Sequence, residues 1–148
     1  MAALLAELGR PAVLGTPDEA PARELFLGWL ERENTEALVG ELDDRLVGFV
    51  DMEYQDWLNF TRPQAWIPDL VVSEAARSRG VGAALLARAE QLAREHGCFV
   101  MRLESANWRT RAHAFYLREG WTDAAKSFDK LLDASIAPPG TRTANQQP

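Results

Sequence analysis

The sequence predicts an α/β fold in which helices flank a mixed central sheet that is splayed by a bulge. Three observations predict it: an apolar strand that leads through a short loop into an amphipathic helix, an alternating hairpin before that strand, and Pro68 inside the strand. Proline cannot donate to a sheet ladder, so Pro68 marks a bulge or a splayed edge.

Two helices are predicted in the first 34 residues. Ala2 to Leu8 are good helix formers, and Gly9 can end that helix. Thr16-Pro17-Asp18-Glu19 has the form of a capping box, although Pro21 favours a start a few residues later. The apolar face of the second helix is predicted to comprise Leu25, Phe26, Trp29 and Leu30.

An antiparallel hairpin is predicted next. Residues 35–41 and 45–54 read as its strands, and Asp43-Asp44 as the tight turn between them. The following loop, 55–64, carries Trp57 and Phe60, which either face a ligand or cover the core.

The central strand is predicted over residues 65–72 and ends in the apolar run Leu70-Val71-Val72, in which both valines are β-branched. A helix follows after a short loop, and Gly97 stands just beyond its end, where a left-handed cap is usual. The apolar face of that helix comprises Val81, Leu85, Leu86, Ala89, Leu92 and Ala93.

The start of this helix is predicted to bind an anion. Gly80 and Gly82 remove side chains from the first turn, so a ligand can approach the backbone closely. The first-turn N–H groups have no intrahelical partner, and Arg77 and Arg79 add positive charge, which favours phosphate. The alternative is a glycine-softened turn with two solvated arginines. No Lys-Ser/Thr follows the glycines, which excludes a P-loop, and Leu85 stands where a dinucleotide fingerprint needs a third glycine.

Downstream, residues 98–105 are predicted to form a strand and residues 109–119 a helix that Gly120 closes. Further strands are predicted to begin at Trp121-Thr122-Asp123 and to span Ser127 to Leu132.

Two motifs resemble the GNAT superfamily of acyl-CoA-dependent N-acetyltransferases. Arg77-x-x-Gly80-x-Gly82 after an apolar strand resembles the family's pyrophosphate-binding motif. Arg109-x-x-Ala112-His113-x-Phe115-Tyr116-x-x-x-Gly120-Trp121 resembles the helix and following strand near the end of the family's domains. The resemblance covers residues 16–132 and is specific only from 65 to 121.

The resemblance implies a GNAT fold and transfer of an acetyl group from acetyl-CoA to an amine by direct attack, with a small-molecule acceptor favoured. It implies that the pantetheine arm of the cofactor pairs with the central strand, and that Tyr116 protonates the departing thiolate. A phenol suits that role because it is neutral at pH 7. Arg109 stands where many members have an asparagine that contacts CoA. The residues implied to bind the cofactor are Leu70, Val71, Val72, Arg77, Ser78, Arg79, Gly80, Val81, Gly82, Ala83 and Arg109.

The group that accepts the proton of the amine stays open. Glu104 on a central strand, Asp69 beside the strand that meets the cofactor, and Glu53 on the hairpin are the alternatives. Each is also compatible with a structural or surface carboxylate. The N–H groups near Val71 or Val72 are expected to stabilise the oxyanion of the thioester.

The chain departs from the family at its start, because it opens on a helix and the usual first strand is missing. The two alternatives are that the start is truncated or that the fold does without this edge strand. This leaves room for a second interpretation, a non-catalytic module that binds acyl-CoA or a partner on the same fold. A homodimer is an expectation from the resemblance alone. The sequence does not identify the acceptor amine.

Composition narrows the classes of function. A formal net charge of −6 disfavours general nucleic-acid binding and suits a cationic small molecule such as an amine. The single cysteine, Cys98, precludes an internal disulfide and fits a reducing compartment. Its spacing from His96 and His113 matches no zinc motif, so no metal is expected. No membrane span or signal peptide is evident, so a cytoplasmic protein is expected.

The domain organisation predicted from these features is simple. With 148 residues, the chain suits one acetyltransferase domain, which we place over residues 1–133. Residues 134–148 are rich in Pro, Thr, Gly, Asn and Gln and are predicted to be a disordered tail.

Overall fold

The computed structural model describes residues 2–132, and the chain divides into two compact units at the junction of Leu103 and Glu104. The tail predicted over 134–148 lies outside the described residues. Described elements of the first unit are α1 (Ala2–Glu7), α2 (Glu19–Leu30), β1 (Thr35–Leu42), β2 (Arg45–Gln55), β3 (Gln64–Ile67), β4 (Leu70–Val72), α3 (Val81–Glu95) and β5 (Val100–Leu103), with a short 3-10 helix at Glu74–Ala76. The second unit contains α4 (Thr110–Arg118).

The five strands form one mixed sheet, as predicted. Strands β1, β2, β3 and β5 are neighbours in that order, β4 also pairs with β2, and the β3–β5 pair is parallel. The predicted hairpin is confirmed, with Thr35 opposite Glu53. Asp43 and Asp44 have φ values of 53° and 58°, the left-handed conformation that a two-residue hairpin turn of this type requires at both positions.

A bulge divides the predicted central strand into β3 and β4. Trp66 pairs with Glu53 and Leu70 pairs with Val50, so three residues, 67–69, stand opposite two residues of β2. Pro68 is the middle residue of the three, where a missing N–H costs no ladder bond. The bulge expected at this proline is therefore present, and it shifts the register by one residue.

Helices cover both faces of the sheet. Phe49 and Val71 form a core cluster with Leu4 of α1, and Phe26 of α2 packs against it. Side chains of a strand alternate between faces, so the neighbouring Gly48 lies on the opposite face, against α3. The inward side of α3 is buried as predicted, at Leu85, Leu86, Ala89, Leu92 and Ala93.

Two glycines let α3 approach the sheet closely. Gly40 and Gly48 pair across β1 and β2, and a Cβ atom added at either one would lie 2.7 or 2.9 Å from Cγ1 of Val81. Real Cβ atoms essentially never come this close to another heavy atom. The paired glycines Gly40 and Gly48 therefore form a notch that accommodates Val81, the first residue of α3. This contact fixes the start of the helix against the sheet.

Three expectations about the elements are wrong. No strand forms at 121–123 or 127–132 within the described residues. Phe128 and Leu132 are 90% and 94% exposed, so this stretch buries no apolar face, and an extended segment without a paired strand is not stable. The inward face of α2 does not include Leu25, which is 70% exposed, or Leu30, because Phe26 and Trp29 already fill the space over the hairpin.

The aromatic loop between β2 and β3 covers the start of β5. The rings of Trp57 and Phe60 lie 4.7 Å apart, and Phe60 stacks on Phe99 at the same separation. Arg62 donates to the carbonyl oxygens of Gly97 and Cys98 at 2.7 and 3.0 Å, which anchors the loop beyond the end of α3. These contacts favour the structural alternative for the loop.

The notch makes a prediction about packing. Gly40→Ala should lower the free energy of unfolding by about 1–3 kcal/mol, because the added methyl group overlaps Val81. Adding Val81→Ala removes the overlapping carbon and should recover part of that loss. Denaturant unfolding of the two variants measures both effects.

Gly28→Ala is the matched control, because nothing lies within 4 Å of a Cβ at that position. It should leave the unfolding free energy unchanged or raise it slightly. Equal losses from Gly40→Ala with and without Val81→Ala would contradict the notch.

Candidate functional site

The open edge of β4 is the first part of the site. Strand β5 pairs with β3 as far as Ile67 and Leu103, whereas β4 pairs only with β2 in the described chain. Asp69 and Ser73 bond to β2 through their backbone, as acceptor and donor at 3.2 and 2.8 Å. Because successive residues of a strand bond to opposite sides, Leu70 and Val72 direct their N–H and C=O groups to the open edge.

This alternation assigns different positions to the three residues expected to meet the cofactor. Leu70 and Val72 present backbone groups at the open edge. Val71 is 3% exposed, with its side chain packed on Leu4 and Phe49. The N–H groups that an oxyanion could reach on this edge are thus those of Leu70 and Val72.

The N-terminus of α3 is the second part. Gly80 caps the helix with a φ of 83°, and no side chain hydrogen-bonds to the cap. Ala84 donates to the Gly80 carbonyl at 3.0 Å, which leaves the N–H groups of the three residues between them without an intrahelical partner. Those residues are Val81, Gly82 and Ala83, all three expected to bind the cofactor. Their N–H groups and the helix dipole together favour an anion.

The two arginines of the loop have different surroundings. Arg77 donates from Nε to the Val72 carbonyl at 3.2 Å, and its Nη2 lies 3.4 Å from Glu7 of α1. Arg79 is more exposed and lies 3.5 Å from Asp43. Arg77 therefore braces the loop against β4, whereas Arg79 carries the more accessible charge. Ser78 lies between them with a φ of 64°.

A carboxylate that sequence reasoning missed lies at the bulge. Asp51 of β2 accepts the Asp69 N–H on Oδ1 at 2.7 Å. Burial, and then the neighbouring Asp69, raise the pKa of the Asp51 carboxyl to about 7. The signal in the sequence was a charged residue after the buried run Gly48-Phe49-Val50, with a proline in the strand that pairs with it.

Asp69 is already engaged by the loop between α1 and α2. Arg10 donates to Oδ1 of Asp69 from Nε and Nη2 at 2.9 and 2.8 Å. Its Nη2 also lies 3.5 Å from the Pro68 carbonyl. The structure therefore places Asp51, Asp69 and Arg10 together. Glu53, two residues along β2, instead accepts from the Trp29 indole at 3.0 Å.

The remaining expected residues lie in the second unit. Tyr116 lies on α4, with its ring 5.9 Å from that of Trp121. Burial raises the pKa of the Tyr116 phenol, which keeps it protonated across neutral pH. Arg109 precedes α4 and places its guanidinium 4.8 Å from the centre of the Trp108 ring. Glu104 is exposed.

None of the helices that residues 2–132 form combines the length and the apolarity needed to cross a bilayer. Within the same residues, no three His, Cys, Asp or Glu side chains cluster in a way that could hold a metal ion.

The raised pKa of Asp51 predicts a dependence of stability on pH. Between pH 3.8, the ordinary pKa, and about 7, the folded state holds a proton that the unfolded state has released. The free energy of unfolding should therefore fall as the pH rises through this window and stay lower above it. Asp51→Asn has no carboxyl to titrate at this position, so its free energy of unfolding should not fall in this way as the pH rises. Its melting temperature should therefore exceed that of the wild type by about 5 °C at pH 8 and by much less at pH 4.

Thermal melts of the two proteins across that pH range measure the difference. Asn is nearly isosteric and retains an oxygen that can accept the Asp69 N–H. A difference in melting temperature that is the same at both ends of the range would contradict the raised pKa.

The sequence matches the model of a known protein family. The model of the acetyltransferase (GNAT) family matches residues 3–121. An aminoalkylphosphonate N-acetyltransferase of Salmonella typhimurium (strain LT2) is 36% identical over 87 residues. That match covers 59% of this chain and 56% of the relative, so the chain matches little more than half of that protein's length.

Solved structures share the fold. A transcriptional regulator from Bacillus halodurans C-125 superimposes with a TM-score of 0.80 at 22% identity, covering 89% of this chain and 91% of the other. An aminoglycoside N-acetyltransferase in complex with CoA superimposes with a TM-score of 0.72 at 20% identity, covering 88% and 84%. At these identities the likeness concerns the fold alone.

Proposed function

The chain belongs to the GNAT family of acetyltransferases, and on that premise we propose that it transfers an acetyl group from acetyl-CoA to a small-molecule amine. The observation that carries the proposal is the open edge of β4, which lies one short loop before the start of α3, where no side chain hydrogen-bonds to the cap. The open edge of β4 can pair with an extended segment of a ligand, and the start of α3 can donate N–H groups to phosphates.

Cofactor binding is proposed at these two places. The pyrophosphate of acetyl-CoA binds to the N–H groups of Val81, Gly82 and Ala83, with Arg79 as the accessible countercharge. The pantetheine arm pairs with Leu70 and Val72 as an added strand would. Val71, Arg77, Ser78 and Gly80 shape the two surfaces. Arg109 is also proposed to contact the cofactor, and the family resemblance is the support for this contact.

The reaction is direct transfer. The neutral amine attacks the thioester carbonyl carbon, the C–N bond forms and the C–S bond breaks. N–H groups on the open edge of β4 stabilise the oxyanion. Tyr116 donates its proton to the thiolate that leaves, and its burial supports this role because the phenol stays protonated.

A carboxylate accepts the proton that the amine loses. Asp69 and Glu104 are the proposed acceptors, and their surroundings differ. Asp69 receives two hydrogen bonds from Arg10 on one oxygen, whereas Glu104 is exposed. We favour Glu104 for this reason, and the kcat of Glu104→Gln against Asp69→Asn tests the choice.

The acceptor is proposed to be a small-molecule amine. The name of a similar protein, an aminoalkylphosphonate N-acetyltransferase, supports this class. The net charge of −6 supports it over nucleic acid. The single cysteine supports a reducing, cytoplasmic location. Association into a homodimer is proposed from the family resemblance alone.

The proposed acid can be tested directly. Tyr116→Phe should lower kcat by roughly 100-fold or more, because the leaving thiolate loses its proton donor. The affinity for acetyl-CoA should stay unchanged. Thiol release with an amine acceptor measures the first quantity, and calorimetric titration measures the second.

Tyr54→Phe is the matched control, since it removes a phenol hydroxyl that has no hydrogen-bond partner in the described structure. It should leave kcat unchanged. Wild-type protein that binds acetyl-CoA but turns over no amine would favour the non-catalytic acyl-CoA-binding module instead.

The proposed phosphate site makes its own prediction. Gly82→Trp should weaken CoA binding by about tenfold or more, because the indole covers the first-turn N–H groups. Gly28→Trp, at an open position of α2, controls for the added side chain. Unchanged calorimetric affinity for CoA in Gly82→Trp would show that the phosphates bind elsewhere.

A further inference from the structure

Asp51 and Asp69 are joined by two hydrogen bonds at the end of the bulge that leads into β4. Asp51 accepts the Asp69 N–H on its carboxylate at 2.7 Å, and its own N–H donates to the Asp69 carbonyl at 3.2 Å. Two hydrogen bonds thus close a ring between β2 and the last residue of the bulge. We call this ring the Asp51–Asp69 clamp.

The clamp lies where the bulge interrupts the hydrogen-bond ladder between β2 and its neighbours β3 and β4. Three residues oppose two at a bulge, so one N–H of the longer strand lacks a partner in the ladder. Here the donor in question belongs to Asp69, and a side chain of β2 supplies the acceptor that the β2 backbone cannot. A buried N–H without an acceptor would cost about 1–3 kcal/mol.

The register of β4 decides what reaches the open edge. A slip of one residue would turn Leu70 and Val72 toward β2 and would move Val71 out of the core. Removal of the extra residue from the ladder would have this effect. The bulge is therefore the feature that selects which N–H groups a ligand can meet.

We propose that Asp51 is a positioning residue for acetyl transfer: its carboxylate oxygen holds the bulge in register so that β4 presents Leu70 and Val72 to the acyl-CoA. It acts through Asp69 and does not touch the substrate. The inference deepens the proposed function and rests on it.

The groups around Asp51 support a role for its carboxylate oxygen as a hydrogen-bond acceptor and not for its negative charge. Burying a carboxylate is unfavourable unless hydrogen bonds compensate, and the Asp51 carboxylate accepts from the neutral backbone N–H of Asp69. The nearest charged groups are Asp69, which disfavours a second negative charge, and Arg10, which is already bonded to Asp69. The carbonyl oxygen of a protonated carboxyl, or of an amide, can accept the same N–H.

The test compares Asp51→Asn, which keeps an acceptor oxygen, with Asp51→Leu, which removes it and keeps the number and branching of the side-chain heavy atoms. Folding is checked by circular dichroism, and acetyl-CoA affinity is measured by calorimetric titration at pH 8. Asp51→Leu should bind acetyl-CoA at least tenfold more weakly, whereas Asp51→Asn should stay within about threefold of the wild type. KM for acetyl-CoA should follow the same order.

Glu19→Leu is the matched control. The carboxylate of Glu19 also accepts a backbone N–H at 2.7 Å, from Gly15 near the start of α2. Its loss should leave acetyl-CoA affinity unchanged, which separates the position of the clamp from the general effect of removing such a bond.

Three outcomes would overturn the proposal, and a fourth would refute the proposed function on which it rests. Folded Asp51→Leu with wild-type affinity would overturn the proposal. So would Asp51→Asn with kcat reduced more than 100-fold at unchanged affinity, since the carboxylate itself would then take part in proton transfer. If Asp51→Leu fails to fold, weakened binding in Asp51→Asn alone still overturns it. Wild-type protein that binds no acetyl-CoA refutes the proposed function, and faster exchange of the Asp69 amide in Asp51→Leu then reports on the clamp independently.

Discussion

A single extra residue between β3 and β4 is the constraint on which the rest of the first unit depends. It separates β4 from β5, so that β5 follows β3 and the far edge of β4 carries no partner strand in residues 2–132. An unpaired edge exposes N–H and C=O groups, which an aqueous protein normally covers or uses. In this chain Pro68 supplies the bulge at low energetic cost, because its position needs no donor.

The bulge also connects segments that are far apart in the sequence. Arg10 of the α1–α2 loop reaches the carbonyl of Pro68 and the carboxylate of Asp69. Arg77, which follows β4, reaches back to the Val72 carbonyl and to Glu7 of α1. Helix α1 is only six residues long, and its own propensity is too weak to hold it in place. Its position is set by Leu4 in the core and by these charged contacts.

Much of this could be predicted from the sequence, because the decisive signals were local. Asp43-Asp44 between alternating runs predicted the hairpin, and Pro68 predicted the bulge. Gly80 before an amphipathic run predicted the start of α3. The prediction of a strand at 127–132 was wrong, because a local sequence pattern does not supply a neighbouring strand to pair with. Asp51 was missed because its role depends on a pairing between residues eighteen positions apart, which no local pattern encodes.

The glycine notch and the bulge act on opposite ends of the same short connection. Gly40 and Gly48 fix Val81, and thereby the first turn of α3, at a set height above β1 and β2. The bulge fixes the register of β4 on β2. The strand edge and the helix start that we propose to bind one ligand are joined by an eight-residue connection, 73–80, in which Ser78 and Gly80 have left-handed backbone conformations. Because both ends of this connection pack on β2, the sheet helps to set the distance between them.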